Sequence, residues 1–245
     1  MSSRLRQLYG NAQFEPSLLG LLINPYFIIR LRLFQSIRAN SSYMTGRMLD
    51  FGCGSKPYRS LFQVSEYVGL DTEDSGHDHS HEEVDVFYDG KEMPFEDEHF
   101  DSVLSSEVFE HVFNLEEVLQ EINRVLKPGG HLLITLPFVW EEHEAPYDFA
   151  RYTSFGIGSL LRDAGFEIVV SKKTTRYIET IFQTINAYIV KAIFRSNKYI
   201  KVLVTPFLIA PLTILGIILA WLLPNDESLY SNMLIVAKKD GAPTE

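Results

Sequence analysis

The chain has 245 residues, 46% of them hydrophobic, one cysteine and a formal net charge of −10 at pH 7. This length suits one α/β domain with an appendage, and the single cysteine excludes a disulfide framework. The negative charge argues against general affinity for nucleic acid, so we expect a globular protein of a reducing compartment that has no nucleic-acid partner.

The charge is segregated along the chain. Residues 1–47 carry six Arg and one Glu, residues 172–201 carry seven Lys or Arg and one Glu, and residues 48–171 carry seven basic residues and 26 acids. The first 20 residues lack a compact apolar region followed by a small-residue cleavage site, so we expect no secretory signal. The sequence therefore predicts a cytoplasmic protein with two basic segments around an acidic middle.

Short β-rich runs alternate with helical patterns. The strands are predicted at Arg47–Phe51, Tyr67–Asp71, Val84–Tyr88, Ser102–Ser106, His131–Leu136, Phe166–Ser171 and Met233–Lys238. Helices are predicted at Leu115–Leu126, where the sequence KPGG follows as a stop, and at Ser154–Ala164, with Thr153 as N-cap and Gly165 after the C-terminus. Pro57 is expected to begin a further helix that contains Tyr58, Leu61 and Phe62.

This alternation predicts a doubly wound, mostly parallel sheet of seven strands, which binds its ligand at the carboxyl ends of the strands. A long insertion separates the last two strands, and the seventh is expected beside the sixth, antiparallel to it at the sheet edge. We predict three segments: an N-terminal helical lead (1–45), the α/β domain (46–172 with 229–240), and an apolar helical insertion (173–228).

A glycine-rich loop follows the first strand, in the stretch MLDFGCGSKPYRSLF (48–62). Gly52 and Gly54 allow the backbone to approach a nucleoside closely. Asp71 lies 21 residues beyond Asp50, where an acid can accept both ribose hydroxyls. A dinucleotide loop would have the pattern GxGxxG, and here its third glycine is missing.

Together with the later motifs, this loop resembles that of the class I S-adenosylmethionine-dependent methyltransferases, over residues 46–172. Residues 48–54 are similar to the family's cofactor loop, DGKEMPF (89–95) to the segment along the adenine, and FDSVLSSEVFEH (100–111) to the fourth strand and its exit. The resemblance implies a Rossmann-like methyltransferase fold with S-adenosylmethionine as cofactor. It assigns to cofactor binding Asp50, Gly52, Cys53, Gly54, Asp71, Asp89, Gly90, Ser106 and Glu107.

Plainer structural roles stay open for several of these residues. Asp50 orients the cofactor loop or merely caps a turn, and Cys53 is expected to be a small buried packing residue rather than a nucleophile. The histidines of HDHSH (77–81) lie in a polar loop and lack a closed ligand set, so we expect a solvated loop and no metal site.

The segment PFVWEEHEAPYDFARYTSF (137–155) follows the fifth strand and is expected to lie over the reactive end of the cofactor. Methyl transfer to a hydroxyl needs a base, and His143 and His111 are the two catalytic candidates. Asp148 and Arg151 can orient the acceptor or the base. The alternative is an ordinary ordered loop in which these two residues pair with each other.

An uncharged apolar run of 24 residues, 202–225, meets the length criterion for a membrane span. A single span would put the last strand on the wrong side of the membrane, and Pro206 and Pro211 interrupt the run. We expect a monotopic arrangement in which this run and the N-terminal lead form one basic, apolar patch against the inner face of the cell membrane. A packed helical cap, a homodimer interface and a true single span are the alternatives.

The sequence therefore predicts a methyltransferase with a small or membrane-associated acceptor, such as a lipid-linked saccharide, a quinone or a prenyl compound. The alternatives are an NAD-dependent or nucleotide-sugar oxidoreductase, and a non-catalytic membrane-associated binding protein with a methyltransferase fold. No spacing distinguishes O-, N- and C-methylation.

Overall fold

A computed structural model describes residues 14, 16–72, 84–193 and 204–241, so the HDHSH loop lies outside the described residues. Seven strands form one sheet. They are β1 (Arg47–Phe51), β2 (Glu66–Thr72), β3 (Val86–Tyr88), β4 (Phe100–Ser106), β5 (Leu126–Pro137), β6 (Phe166–Lys173) and β7 (Asn232–Lys239). Each overlaps the strand predicted from the sequence.

The strand order is β3-β2-β1-β4-β5-β7-β6. β1 pairs in parallel with both β2 and β4, so Asp50 lies opposite Gly69 on one side and Leu104 on the other. β2 and β3, and β4 and β5, are also parallel. The chain winds outward in both directions from β1 and β4, which confirms the doubly wound fold and places the ligand crevice at the carboxyl ends of these two strands.

The last strand neighbours β6 as predicted, but it does not lie at the edge of the sheet. β7 lies between β5 and β6, and β6 forms the edge. The burial of the two strands explains this order, because Asn232 to Ala237 are all buried, whereas in β6 only Phe166 is buried and the other residues are partly buried or exposed. A continuous buried run belongs in the interior of a sheet.

Six α-helices are present in the described residues. They are α1 (Leu18–Ile23), α2 (Phe27–Asn40), α3 (Leu115–Val125), α4 (Ser154–Asp163), α5 (Tyr177–Tyr188) and α6 (Ala210–Leu222), with π-helical segments at Ile189–Ile193 and Thr205–Ile209. α3 buries the predicted apolar face. At α4 the Thr153 side chain accepts from Gly156 N, and Gly165 has φ +82°, so both predicted caps are confirmed.

Two local predictions are wrong. No α-helix begins at Pro57, and the chain makes only a 3₁₀ turn at Arg59–Leu61. Lys56 before it has a left-handed φ of +51°, which turns the chain away from a helical path. The sequence KPGG is not a separate stop either, because α3 ends at Val125 and β5 begins at Leu126.

The chain forms two compact units. One contains residues 37–172 and 233–245, with nearly all of the sheet, α3 and α4, and we call it the sheet unit. The other contains residues 1–36 and 173–232, with α1, most of α2, α5 and α6, and we call it the helical unit.

Within the helical unit, the N-terminal lead packs against the insertion. Arg32 Nε on α2 donates to Glu179 Oε1 on α5 at 2.9 Å, and Gln183 Nε2 donates to the carbonyl of Pro25 at 3.1 Å. At the base of the insertion, Thr174 N donates to the carbonyl of Asn232 at 2.8 Å. The insertion therefore leaves the sheet and returns to it at one place.

We expect Glu179→Gln to destabilise the helical unit by about 3 kcal/mol, because the substitution leaves Arg32 without its buried partner. The Glu179 side chain is only 1% exposed. The opening free energy of amides 177–188, measured by hydrogen exchange, reports the effect. The control is Glu66→Gln in the exposed Arg47–Glu66 pair, with an expected loss below about 1 kcal/mol. Equal losses in the two variants would contradict the prediction.

Candidate functional site

The residues assigned to cofactor binding gather at one edge of the sheet. Asp50 and Asp71 are the next-to-last residues of β1 and β2. Asp89 directly follows β3, and Ser106 is the last residue of β4. Because these strands are parallel, their carboxyl ends share this edge.

The glycines of the loop after β1 are required by its backbone. Gly52 and Gly54 have φ of +70° and +44°. A Cβ built on Gly52 would lie 2.5 Å from Cγ2 of Val108, so a larger residue would clash with the exit of β4. The amides of Gly52 and Cys53 donate to the carbonyl of Leu70 at 2.9 and 3.2 Å, which holds the loop against β2.

Lys56 stands two residues after Gly54, directly before the position of the third glycine in GxGxxG, and it adopts a left-handed conformation that glycine takes more readily. Its side chain is 5% exposed, and Nζ lies 2.7 Å from Asp85 Oδ2, which also accepts the Gly69 amide at 2.7 Å. A Cβ on Gly69 would lie 2.4 Å from Lys56 Cε. Gly69 thus makes room for the lysine stem, and an ion pair holds the loop. The ion pair of Lys56 with Asp85 was not predicted from the sequence.

We expect Lys56→Met to destabilise the sheet unit by about 1–2 kcal/mol, since it removes a charge-assisted hydrogen bond from a partly exposed carboxylate. Urea unfolding measures the change. Lys91→Met, at an exposed position outside the strands, is the matched control and is expected to change stability by less than about 0.5 kcal/mol. If Lys56→Met unfolds at the same urea concentration as the control, the ion pair does not stabilise the loop.

Asp50 is buried, and its Oδ2 accepts a hydrogen bond of 2.5 Å from the Tyr67 hydroxyl. Burial raises the pKa of Asp50 to about 7, although the Tyr67 hydrogen bond and the Lys56 ammonium oppose the shift. Cys53 is also buried, and burial raises the pKa of its thiol above the ordinary value, which suits a packing residue.

Asp71 joins the loop to β2 through both of its carboxylate oxygens. Oδ2 accepts from Gly54 N at 2.9 Å, and Oδ1 accepts from Thr72 N at 2.8 Å. Each carboxylate oxygen can accept a second hydrogen bond. The carboxylate is therefore fixed in place and can still bind a pair of hydroxyls.

After β3, Asp89 makes an exposed turn in which Oδ1 accepts from Lys91 N at 3.1 Å, and Gly90 has φ +81°. The ring of Phe51 at the end of β1 makes edge contacts with Tyr88 and Phe109, at centroid distances of 6.0 and 6.1 Å. These rings form an apolar surface next to the polar loop.

At the end of β4, Ser106 Oγ lies 2.8 Å from Thr135 Oγ1. Glu107 follows with a left-handed φ of +57°, an uncommon conformation for a residue with a side chain, and its amide donates to the carbonyl of Thr135 at 3.0 Å. Such backbone strain is typical of functional sites. It turns the chain sharply into the segment Phe109–His111.

The structure brings together the two histidines that the sequence offered as alternatives. The rings of His111 and His143 are 4.8 Å apart and inclined at 75°. His111 Nδ1 lies 2.9 Å from the carbonyl of Tyr147, which can only accept, so Nδ1 carries the proton and Nε2 has a free lone pair. Burial lowers the pKa of His111, which favours this neutral form.

Asp148 and Arg151 pair with each other, as the simpler alternative predicted. Arg151 Nη2 donates to Asp148 Oδ2 at 2.7 Å, and this pair holds the pKa of Asp148 well below its ordinary value. The same Oδ2 accepts the His143 amide at 2.9 Å and lies 3.2 Å from His143 Nδ1. The pair therefore also orients the histidine.

Glu110 is a site residue that the sequence reasoning missed. It is 1% exposed, and burial, reinforced by the Glu107 carboxylate, raises its pKa well above the ordinary value. An acid beside a histidine, in the pair Glu110-His111, was the only signal in the sequence. Glu110 Oε1 lies 3.7 Å from His111 Nε2.

Comparisons with known proteins find methyltransferases similar to part of this chain. Residues 49–134 match the family model described as "Methyltransferase domain". A fatty-acid O-methyltransferase of Mycolicibacterium smegmatis is 30% identical over 43% of this chain and 42% of its own length. A sterol 24-C-methyltransferase of Schizosaccharomyces pombe is 37% identical over 39% of this chain and 31% of its own. The chain thus spans less than half the length of these two relatives.

Among solved structures, an S-adenosylmethionine-dependent methyltransferase from Thermotoga maritima has the same fold. Its TM-score is 0.55 at 15% identity, over 97% of this chain and 95% of that one. The resemblance seen in the motifs is confirmed: residues 49–134 match the methyltransferase-domain model, and the chain has the Rossmann-like fold of this neighbour.

Proposed function

We propose that the chain with this methyltransferase domain is an S-adenosylmethionine-dependent enzyme that methylates a lipid or another apolar, membrane-held acceptor at the cytoplasmic face of a membrane. The membrane part of this proposal rests on the burial pattern of the helical unit, which is the reverse of the pattern expected in water. Helices α5 and α6 bury small and polar residues and expose large apolar ones.

Helix α6 shows the reversal most clearly. Its buried residues are Ala210, Thr213, Gly216 and Ala220, whereas Ile214, Leu215, Ile218, Trp221 and Leu222 are exposed. A Cβ on Gly216 would lie 2.7 Å from Cβ of Phe182, so the glycine allows α5 and α6 to pack closely. Close packing through small residues is the pattern of helices that have lipid around them.

Helix α5 repeats this pattern. Its buried residues include Glu179, Thr180, Gln183 and Asn186, whereas Ile181, Ile185 and Tyr188 are exposed. Asn186 Nδ2 donates to Thr213 Oγ1 of α6 at 2.9 Å in the buried contact. A surface helix of a water-soluble protein has the opposite pattern, because it buries its apolar face and exposes its polar face.

A bilayer surface suits the exposed apolar side of this unit. Thr205–Leu222 is long and apolar enough to cross a membrane, with a mean hydropathy of 2.1, and only 33% of it is buried. The Thr174–Asn232 hydrogen bond closes the base of the insertion, and β7 follows it in the sheet. Entry into one leaflet and return fits these contacts, whereas a single crossing would carry β7 away from the sheet.

The residues at the sheet edge fit the cofactor. S-adenosylmethionine supplies an electrophilic methyl group on its sulfonium. Asp71 has acceptor capacity for the ribose hydroxyls, and Gly52 and Gly54 let the backbone approach the nucleoside closely. His111 Nε2 has a free lone pair that can take the proton of an acceptor hydroxyl, and the Tyr147 carbonyl fixes its ring.

The dinucleotide alternative is disfavoured by the loop. A dinucleotide places its pyrophosphate at the N-terminus of the helix that follows the glycine-rich turn. Here only the 3₁₀ turn Arg59–Leu61 follows, and Pro57 occupies the position of the third glycine. A sulfonium cofactor has no pyrophosphate and does not need that helix.

Three measurements on the purified chain test the proposal. Calorimetry is expected to show binding of S-adenosylmethionine and none of NAD. Flotation with vesicles of anionic phospholipid is expected to carry the protein with the lipid. Labelled S-adenosylmethionine is expected to transfer its methyl group to a component of a membrane lipid extract. If S-adenosylmethionine does not bind, the proposed enzymatic function is refuted. Binding of S-adenosylmethionine without methyl transfer supports the non-catalytic alternative. A protein that dimerises and ignores vesicles would assign the apolar face to a second copy.

A further inference from the structure

Glu110 presents a buried carboxylate that lacks a hydrogen-bond partner. Neither of its oxygens has one within the described part of the chain, and the nearest basic atom, His111 Nε2, lies 3.7 Å from Oε1. That distance is too long for a hydrogen bond. An ionised carboxylate buried in this way is costly unless a cation or hydrogen-bond donors compensate it.

Two histidine nitrogens lie beside this carboxylate. One ligand atom from each of Glu110, His111 and His143 can be chosen so that all three lie within 4.8 Å of one another. Two imidazoles and one carboxylate form a ligand set that binds zinc and related divalent transition metals, with further positions left for water or substrate. Only small side-chain movements would bring the three atoms around one ion.

The surroundings of the two histidines support the same assignment. Histidines that bind a metal usually direct their other ring nitrogen to a backbone carbonyl or a carboxylate, which fixes the ring. Here His111 Nδ1 lies 2.9 Å from the carbonyl of Tyr147, and His143 Nδ1 lies 3.2 Å from Asp148 Oδ2. Both rings are thus held through Nδ1, and His111 Nε2 faces carboxylate oxygens, at 3.7 Å from Glu110 Oε1 and 3.4 Å from Glu144 Oε2.

We propose that Glu110, His111 and His143 form a binding site for a divalent transition metal ion, of which zinc is the best-matched probe. From the sequence we expected no metal, and only the histidines of the HDHSH loop were candidates. For the reaction, the inference rests on the proposed function: a metal held by these residues would polarise an acceptor oxygen and lower the pKa of its hydroxyl. His111 then acts as a ligand and not as the general base.

The test is calorimetric titration of Zn²⁺ into the full chain after treatment with a chelator and removal of any affinity tag. We expect one site, and Glu110→Gln or His143→Gln should weaken its affinity by at least about 30-fold, as expected when a metal loses one of three protein ligands. A triple variant of the HDHSH loop, with His77, His79 and His81 all changed to Asn, is the matched control and should keep the affinity. Co²⁺ in place of Zn²⁺ gives visible absorption bands that should disappear in the two ligand variants.

Retained affinity in the ligand variants, or its loss in the triple variant, would overturn the proposal and assign the ion elsewhere. Two ligand variants are used so that a folding defect in one of them does not decide the test. His143 is part-exposed, and its replacement leaves the buried Glu110 intact. Calorimetry with S-adenosylmethionine in the presence of chelator separates this inference from the proposed function. Cofactor binding without Zn²⁺ binding refutes the metal site alone, and Zn²⁺ binding without cofactor binding refutes the methyltransferase alone.

Discussion

Replacing Asp71 with alanine is expected to weaken S-adenosylmethionine binding by at least about 100-fold. Its carboxylate accepts the amides of Gly54 and Thr72, and its remaining lone pairs are the proposed acceptors for the ribose. A hydrogen bond to a charged group contributes about 1.5–3 kcal/mol, so the loss of two corresponds to roughly two orders of magnitude or more. The substitution also removes one of the contacts that hold the cofactor loop against β2.

Calorimetry measures this loss directly, and Asp163→Ala is the control. Asp163 is an exposed acid at the end of α4, and its replacement is expected to leave the affinity unchanged within about twofold. An Asp71→Ala protein that binds the cofactor within threefold of the parent would place the ribose elsewhere. Circular dichroism of each variant verifies that the sheet is intact.

The second large effect concerns the exposed apolar side of the helical unit. We expect the double substitution Phe207→Asp with Trp221→Asp to weaken binding to anionic vesicles by at least about 100-fold. The two side chains are 77% and 79% exposed, so their replacement removes no buried contact. Burial of each such side chain in lipid contributes about 1.5–3 kcal/mol, and a carboxylate in its place opposes insertion further.

Vesicle flotation at several lipid concentrations gives the affinity. The matched control is Phe155→Asp with Val169→Asp, two exposed apolar residues of the sheet unit, and it should bind vesicles as the parent does. Equal loss in the two double variants would mean that apolar exposure in general, and not the helical unit, drives binding. If the double variant at Phe207 and Trp221 binds vesicles as tightly as the parent, the membrane proposal is refuted.

The residues that follow Gly54 in the cofactor loop show a limit of prediction from local sequence patterns. A helix was predicted from Pro57, because proline suits the first turn of a helix. In the folded chain Lys56 takes a left-handed conformation, and Asp85, 29 residues away, holds its ammonium. No local rule contains that contact, and therefore the prediction failed at this point.

The segments that carry His111 and His143 show a related difference. The residue types predicted that His111 and His143 belong near the reacting centre, but as alternatives. Their chain separation is large, and only the turn at Glu107 and the Asp148–Arg151 pair bring their rings to 4.8 Å. Glu110 was missed because its importance lies in its burial without a hydrogen bond, which is a property of the packing around it.

The sequence by itself determined the order of strands and helices, the position of the cofactor loop and the resemblance to methyltransferases, because periodicity, glycine content and motif spacing are local properties. Tertiary structure decided which face of each element is buried against a partner. It placed β7 inside the sheet, assembled Glu110 with the two histidines, and turned Thr213 and Gly216 inward while Trp221 faces outward. The physical reason is that burial depends on contacts between segments far apart in the chain, which spacing along the sequence does not record.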